Sequence, residues 1–417
     1  MTAIWQCILG NLLLRLGNSA TGVLMGLLLA SIHRSSGSVP ATAVGLLAAS
    51  FHVAELLGAP VFGTVSDRHG RRRFLIAGPI LGAVGIQLIG WPNLVLALPL
   101  LLLPMALGRI VEGLSTATTA PATLSFLSGA TADSASLRGR VMSWYEMATV
   151  MGIGLGFVAA GVLWDRLGHG AFLAVTVIYA VAFVAFALVR DVPGGSNQPP
   201  ETVFRDVLRQ RRLLRFVPAW LCVNTIVGVW FTHSAFQMTG EPRPGQFLTG
   251  QFTGSSLGAG FALFSGAFML GVFLWGFAIG RREKTSLMLL TTSGIYLVCL
   301  ALFALNHLGH EGSSLVVPLT AAFVLGVVIA SGFTPAALAY LADLSEEMAE
   351  HRGTVMGLYS VMLGLGQLLG GALGGPFAQA GGINGLILLT ALLGSGALVT
   401  LGLLHYADRR VSLRSPV

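Results

Sequence analysis

Long apolar runs separated by short polar stretches dominate this chain. Twelve such runs can be placed, at residues 4–31, 40–64, 74–91, 97–128, 140–163, 169–189, 214–237, 255–279, 286–306, 314–341, 353–376 and 382–406. A helix needs about 20 mostly apolar residues to cross a bilayer. The strands of a membrane barrel would instead show about 10 residues of alternating polarity, whereas these runs are continuous. The pattern predicts an all-α membrane protein with twelve transmembrane helices.

The composition agrees with a membrane location. Of the 417 residues, 54% are hydrophobic and 10% are charged, and the mean hydropathy is +0.79, which excludes an ordinary soluble domain. The first run begins without a basic segment or a small-residue cleavage site, so we interpret it as a retained helix rather than a cleaved signal. Cys7, Cys222 and Cys299 lie far apart within predicted helices, so they form neither a disulfide framework nor a metal-ligand spacing.

The net charge of +7 could indicate a nucleic-acid partner, but the distribution of the charges argues against one. With twelve helices and both termini on one side, 19 of the 24 Lys and Arg residues fall on the side of the termini, three fall opposite, and Arg15 and Arg109 lie within helices. Cytoplasmic loops carry such an excess. We therefore expect a multi-pass protein of the cell inner or plasma membrane, with both termini cytoplasmic and in contact with anionic lipid rather than nucleic acid.

An internal repeat divides the chain into two halves. The segment 191–212 is polar and rich in Pro and Gly, and it separates the predicted helices six and six. With a shift of 214 residues, RGRVMSWYEMATVMGIGLGFVAAG from Arg138 matches RGTVMGLYSVMLGLGQLLGGALGG from Arg352. The repeat predicts two pseudo-symmetric six-helix bundles, at 1–190 and 214–417, joined by a cytoplasmic linker at 191–213. Parallel repeats of six helices are typical of secondary transporters that move around a central site.

A charged loop between the second and third predicted helices carries a specific motif. GTVSDRHGRRR contains Gly63, Asp67, Arg68, Gly70, Arg71 and Arg72 at the spacing G-x-x-x-D-R-x-G-R-R. This spacing resembles the signature loop of the major facilitator superfamily, and GRIVEG around Arg109 is similar to the family's second motif. The resemblance implies the twelve-helix fold of a drug/proton antiporter-like transporter, with Asp67 and its neighbours as a cytoplasmic gate. A second copy of the loop, GFAIGRREK, has Gly280 in place of the acid.

The sequence departs from the family's patterns at two places. The antiporter motif G-x-x-x-G-P-x-x-G-G would fall in the fifth helix, where Phe157 stands in place of Pro and Ala160 in place of Gly. The direction of transport therefore stays open. Family members also often carry an Asp at the inner end of the fourth helix; Asp343 fits that role in the second half, whereas Gly129 occupies the equivalent position in the first.

Ionisable residues within predicted helices occur in the first half, and an insertion cost of roughly 2.5–3.5 kcal/mol each makes them functional candidates. The proton-coupling candidates are Glu55, Arg109, Glu112 and Glu146. Three acids at similar depth cannot all stay ionised at low cost, so we expect proton exchange at one or more of them. Two structural alternatives remain: Arg109 and Glu112 as a self-neutralising i,i+3 pair, and Arg15 as a permanent partner of Glu55, which shares a helix face with His52.

The candidates for a substrate cavity are polar or aromatic residues within helices. They are Asn11, Arg15, Asn18, Tyr145, Asn224, Trp230, Tyr359 and Gln367. A cavity charged on one wall and aromatic on the other suits an amphipathic or drug-like molecule better than a sugar. The glycine clusters lie inside apolar runs, so we interpret them as helix-packing sites rather than phosphate loops. We predict no nucleotide site, cofactor, metal site or catalytic residue, and hence no enzyme.

The leading hypothesis is a secondary active transporter that exports a small organic molecule by alternating access, coupled to protons. Two alternatives stay open: a proton-coupled uptake symporter for a nutrient, and a lipid flippase or a non-transporting receptor or scaffold. The expected partners are a small-molecule substrate, protons and the lipid bilayer, and we expect a monomer.

Overall fold

The computed structural model describes residues 2–36, 39–94, 100–131, 135–189, 211–279, 281–308, 314–347 and 352–412. These residues form fourteen α-helices: α1 Thr2–Ser36, α2 Ala41–His69, α3 Arg71–Gly90, α4 Leu102–Ala130, α5 Ala135–Leu167, α6 Gly170–Ala187, α7 Arg211–Thr239, α8 Gly254–Gly276, α9 Lys284–Thr292, α10 Gly294–Leu308, α11 Val316–Ala330, α12 Phe333–Glu347, α13 Arg352–Gly381 and α14 Ile383–Ser412. A short 3₁₀ helix at Trp91–Leu94 follows α3. The predicted all-α class is confirmed.

Each predicted transmembrane run corresponds to helix. The ninth run is divided into α9 and α10 and the tenth into α11 and α12, and the sequence did not predict these breaks. Eleven segments of the described chain are long and apolar enough to cross a membrane, with each divided run counted as one. The remaining predicted span is α4, which is not among the eleven and contains the buried Arg109 and Glu112.

The chain separates into two compact units. The first comprises Met1–Asn197 together with Thr232–Glu241 and Phe252–Ala262, and the second comprises Gln198–Phe231, Pro242–Gln251 and Leu263–Val417. The last turns of α7 and the first turns of α8 therefore belong to the first unit. The predicted linker lies almost entirely outside the described residues, so the division at 191–213 stays a prediction.

In the first unit, α1 packs against α5 and α6, while α4 packs against α2 and α3. Gly152 and Gly156 allow α5 to approach α1 closely. A Cβ atom added at Gly152 would lie 2.5 Å from the Leu12 carbonyl oxygen, and one added at Gly156 would lie 2.0 Å from the Ser19 hydroxyl oxygen. Small residues in membrane helices serve such close packing. The packing interpretation of this glycine cluster is confirmed.

The second unit repeats this arrangement. Gly366 and Gly370, which the 214-residue shift pairs with Gly152 and Gly156, lie on α13 against α7. A Cβ atom added at Gly366 would lie 2.4 Å from the Cβ of Asn224, and one added at Gly370 would lie 2.5 Å from the Thr225 carbonyl oxygen. Residues that correspond in the sequence repeat therefore occupy the same place in each half, at the contact between its first and fifth helices.

Candidate functional site

A buried ion pair lies within the helices of the first unit. Arg109 and Glu112, one turn apart on α4, form a direct ion pair, and their side chains are 6% and 0% exposed. The hydroxyl of Tyr179 on α6 lies 2.9 Å from Glu112 Oε1, and the Arg109 guanidinium lies 4.5 Å from the centre of the Phe51 ring. A buried charge is tolerated when it is paired and hydrogen-bonded. The pair therefore neutralises itself within the helix bundle.

Asn18 connects this pair to α1. Its amide nitrogen donates a hydrogen bond to Thr116 Oγ1 at 2.6 Å, and its amide oxygen lies 2.7 Å from the Tyr179 hydroxyl. Tyr179 thus bridges Asn18 and Glu112, and the network joins α1, α4 and α6. The sequence does not predict the role of Tyr179, which appears there as a phenol within a mostly apolar helix.

A second charged group, which is partly accessible, joins α1 and α2. Arg15 Nη1 lies 3.8 Å from Glu55 Oε1, and His52 Nδ1 lies 3.4 Å from Glu55 Oε2. The side chains of Arg15, Glu55 and His52 are 19%, 21% and 11% exposed. The structure thus brings together the predicted partners Arg15 and Glu55. Glu55 differs from Glu112 because part of its side chain is exposed, whereas that of Glu112 is fully buried.

Glu146 completes the predicted set of acids. Its side chain on α5 is exposed, whereas that of the adjacent Tyr145 is buried. The Arg15 guanidinium lies within electrostatic range of Glu146 as well, at a greater distance than its ion pair with Glu55. The ion pair of Arg15 is therefore with the carboxylate on α2. Near it, the amide nitrogen of Asn11 donates a 2.8 Å hydrogen bond to Thr149 Oγ1 and links α1 to α5.

The cavity candidates of the second unit are neutral. Asn224 is buried and donates to the Trp220 carbonyl oxygen at 2.9 Å, and Trp230 Nε1 donates to Thr390 Oγ1 at 2.9 Å. Gln367 lies on α13 where α7 passes closely, since a Cβ added at Gly228 would be 2.6 Å from its Cα. The side chain of Tyr359 lies outside the described residues.

An apolar groove runs along the first unit between α2 and α4. Its volume is about 630 Å³, and aliphatic side chains such as Leu46, Val53, Leu57 and Ile110 line most of it. Val53 and Ala54 of this groove directly precede Glu55 in α2. Glu55 itself is not among the residues that line the groove. In the described part of the chain, no cluster of three His, Cys, Asp or Glu side chains could hold a metal ion.

The motif loop forms a tight connection between α2 and α3. Gly70 is the single residue between the two helices, and its φ of 93° favours glycine. Arg72 donates a 2.7 Å hydrogen bond to the Ala187 carbonyl oxygen at the end of α6. Gly63 lies in the last turns of α2. The side chains of Asp67 and Arg68 lie outside the described residues.

The two halves differ where the family often carries an acid. In the first half, the buried Arg71 approaches Gly129, and a Cβ added there would lie 2.9 Å from its Nη1 atom. In the second half, Lys284 and Asp343 form an ion pair. Asp343 corresponds to Gly129 in the 214-residue repeat. At this position of the repeat, the second half thus carries an acidic side chain and the first half carries glycine.

Comparison with known proteins identifies the family. A sequence model described as Major Facilitator Superfamily matches residues 7–327 and 244–416. The chain belongs to this superfamily. The protein is therefore a multi-pass membrane transporter and not an enzyme, which confirms the resemblance drawn from the motif loop.

Two named proteins and one solved structure resemble the chain to different extents. The uncharacterized MFS-type transporter YwfA of Bacillus subtilis is 25% identical over 375 residues, which cover 87% of this chain and 82% of YwfA. The class C tetracycline resistance protein of Escherichia coli is 31% identical over 212 residues, about half of each protein. The crystal structure of the nucleoside transporter NupG superposes with a TM-score of 0.71 at 14% identity, over 97% of this chain and 99% of NupG. NupG thus shares the superfamily fold.

Proposed function

We propose that this superfamily member is a proton-coupled exporter of small amphipathic molecules, in which Glu55 binds the proton. The observation that carries the proposal is the position of Glu55 between Arg15 and His52, at 3.8 Å and 3.4 Å, with a partly accessible side chain. A coupling carboxylate must exchange protons with water and must also change its interactions when it does so. The partial exposure of Glu55 and its two contacts, which a proton on the carboxylate would weaken, support this role.

Arg15 transmits the protonation of Glu55 to α5. A proton on the Glu55 carboxylate removes the negative charge that faces Arg15 on α2. We propose that the guanidinium then moves toward α5, where the Tyr145 and Glu146 side chains lie within its electrostatic range. Loss of the proton restores the pair with Glu55. Protonation would thus change the balance of attraction between α1, α2 and α5.

The buried pair of Arg109 and Glu112 has a different place in the proposed coupling pathway. Because Glu112 is fully buried and also contacts Tyr179, its proton exchange requires the network to open during the transport cycle. We therefore place Glu55 and Glu146 at the accessible end of the coupling pathway and the Arg109–Glu112 pair at its closed end.

Two observations support an amphipathic substrate. The first unit carries an apolar groove between α2 and α4 as well as the charged group of Arg15, Glu55 and His52, and a molecule with an apolar body and a polar or charged group would match both. One relative is a tetracycline resistance protein. The candidates Asn11, Asn18, Tyr145, Asn224, Trp230, Tyr359 and Gln367 are proposed to act with Arg15 in recognition as the helices rearrange.

We also propose that both termini lie in the cytoplasm and that the motif loop acts as a gate on that side. The excess of Lys and Arg on the side of the termini supports a cytoplasmic location of both termini, in a monomer of the inner or plasma membrane. Asp67 is proposed to act with the other motif residues as a cytoplasmic gate. Asp67→Asn should therefore slow the conformational cycle with little effect on substrate affinity, and an equal loss of affinity would contradict the gate.

The decisive experiment is flux in proteoliposomes with tetracycline and a panel of amphipathic dyes as probes. An acidic lumen should drive accumulation of a probe, because antiport exchanges it for protons that leave. Glu55→Gln should lower this accumulation at least tenfold but retain exchange without a proton gradient. The matched control is Glu283→Gln, an exposed acid, which should behave as the wild type. Undiminished proton-driven flux in Glu55→Gln would exclude Glu55 as the coupling group.

The same experiment distinguishes the alternatives. Accumulation driven by an acidic exterior would identify an uptake symporter, which Phe157 in place of the motif's Pro keeps open. If no probe moves under either gradient while a lipid or a protein partner co-purifies, the flippase, receptor or scaffold hypothesis replaces transport of drug-like molecules.

A further inference from the structure

The second copy of the motif loop, between α8 and α9, carries two arginines without an acidic partner. Gly280 stands in the sequence where the first copy has Asp67, so this copy lacks the motif's acid. Arg281 and Arg282 follow directly, and both side chains are exposed. Among the described side chains, no acid pairs with either arginine, although Lys284 two residues later is paired. The loop therefore carries two positive charges that the motif itself does not compensate.

The described acids around this loop are already paired. They lie at the end of the second unit where α7 and α9 begin and α14 ends, which we call the basic end. Three ion pairs engage them: Glu283 with Arg409, Asp343 with Lys284 and Asp408 with Arg212. Each carboxylate thus has a cationic partner other than Arg281 and Arg282.

Backbone contacts fix the position of the two arginines at the end of α8. The Trp275 indole N–H donates a 2.9 Å hydrogen bond to the Val328 carbonyl oxygen and ties the last turn of α8 to α11. The chain then turns tightly: the Ala278 N–H donates to the Trp275 carbonyl oxygen at 2.9 Å, and the Arg281 N–H donates to that of Ala278 at 3.1 Å. A fixed backbone reduces the conformational entropy that a ligand must overcome on binding.

Two exposed aromatic rings lie on the last turns of α8, directly before this loop. Phe273 and Phe277 are one turn apart, and their rings meet edge to face with a centroid distance of 5.1 Å. They are 63% and 61% exposed, on a helix that is long and apolar enough to cross a membrane. Arg281 follows Phe277 by four residues. An apolar surface that ends at two positive charges matches a phospholipid, whose acyl chains end at the headgroup.

We propose that Arg281 and Arg282, together with Phe273 and Phe277, form a binding site for a phospholipid with an anionic headgroup. Guanidinium groups bind phosphate oxygens through charge-assisted hydrogen bonds, and the two rings contact the acyl chains close to the headgroup. The phosphate supplies the negative charge that this copy of the motif lacks at Gly280. The site depends on no particular substrate, direction of transport or coupling ion.

General attraction between a basic surface and anionic lipid is the competing explanation. Clustered Lys and Arg residues attract such lipids without forming a defined site. Arg211 and Arg215 offer a comparison, because both are exposed on the first turns of α7 at the basic end. General attraction depends on how many charges are removed, whereas a site depends on which charges are removed.

Native mass spectrometry of the full chain, titrated with dioleoyl phosphatidylglycerol, measures the dissociation constant of the bound lipid. The double variant Arg281→Gln/Arg282→Gln should raise this constant about 25-fold, since each basic residue near an anionic headgroup contributes about fivefold in affinity. The matched control Arg211→Gln/Arg215→Gln removes the same charge and should raise it less than about threefold. Phe273→Ala/Phe277→Ala should raise it at least about fivefold through lost apolar contact.

Three outcomes would overturn the site. An equal rise in both arginine variants would assign lipid binding to general attraction. An unchanged dissociation constant in Arg281→Gln/Arg282→Gln would place the lipid elsewhere. If inorganic phosphate displaces the lipid at equal concentration and Phe273→Ala/Phe277→Ala binds normally, the loop binds a free anion and not a lipid. The six substituted side chains are exposed, and unchanged size-exclusion profiles establish that each variant is folded.

Discussion

From the close contact between α1 and α5 we predict how Gly156→Ala changes the free energy of unfolding. The added Cβ would lie 2.0 Å from Ser19 Oγ and 2.5 Å from the Leu16 carbonyl oxygen. The Ser19 hydroxyl, now 3.1 Å from the Ile153 carbonyl oxygen, can rotate away. The carbonyl of Leu16 is backbone and can move only with α1. The helices must therefore separate to accept the methyl group.

The expected magnitude combines two opposing effects. Overpacking of this kind costs typically about 1–3 kcal/mol, whereas alanine in a helix interior is favoured over glycine by about 1 kcal/mol. Gly156→Ala should thus lower the free energy of unfolding by up to about 2 kcal/mol. Gly22→Ala on α1 is the matched control, because no atom lies within 4 Å of its added Cβ. That variant should be more stable than the wild type by up to about 1 kcal/mol.

Reversible unfolding in mixed micelles, followed by circular dichroism during titration with dodecyl sulfate, measures both free energies. The same substitution in two neighbouring helices is expected to have opposite signs. If Gly156→Ala proves as stable as Gly22→Ala, then α1 and α5 do not approach as closely as the structure indicates, and the packing argument for the fifth-helix glycines fails.

Two further predictions concern polar contacts. Tyr179→Phe removes the hydroxyl that lies between Glu112 and Asn18 and should lower the free energy of unfolding by about 1.5–3 kcal/mol. Tyr296→Phe, whose hydroxyl contacts the exposed Ser395 at 2.7 Å, is the control and should lower it by less than about 1 kcal/mol. Equal losses would show that the buried network contributes no more than an exposed hydrogen bond. A double-mutant cycle on the free energy of unfolding with Lys284→Gln and Asp343→Asn should give a coupling energy of about 0.2–1 kcal/mol that falls in 1 M salt. A coupling energy above about 3 kcal/mol that does not depend on salt would show that this ion pair is effectively buried.

The sequence predicted those features that depend on local pattern. Apolar run length located the transmembrane helices, and the i,i+3 spacing of Arg109 and Glu112 suggested their ion pair. The breaks near Ser293 and Ser331 were missed because the apolar runs continue through both positions. Tyr179 was missed because its partners belong to other helices.

The single-residue connection at Gly70 has a mechanical consequence. A longer loop would let α2 and α3 change their angle independently, whereas a single connecting residue restricts such a change. Arg72 also ties the start of α3 to the carbonyl oxygen of Ala187 at the end of α6. Torque applied to α2 at this end is therefore passed to α3 and onward to α6. A probe attached to α3, away from any substrate, would report the tilting of α2.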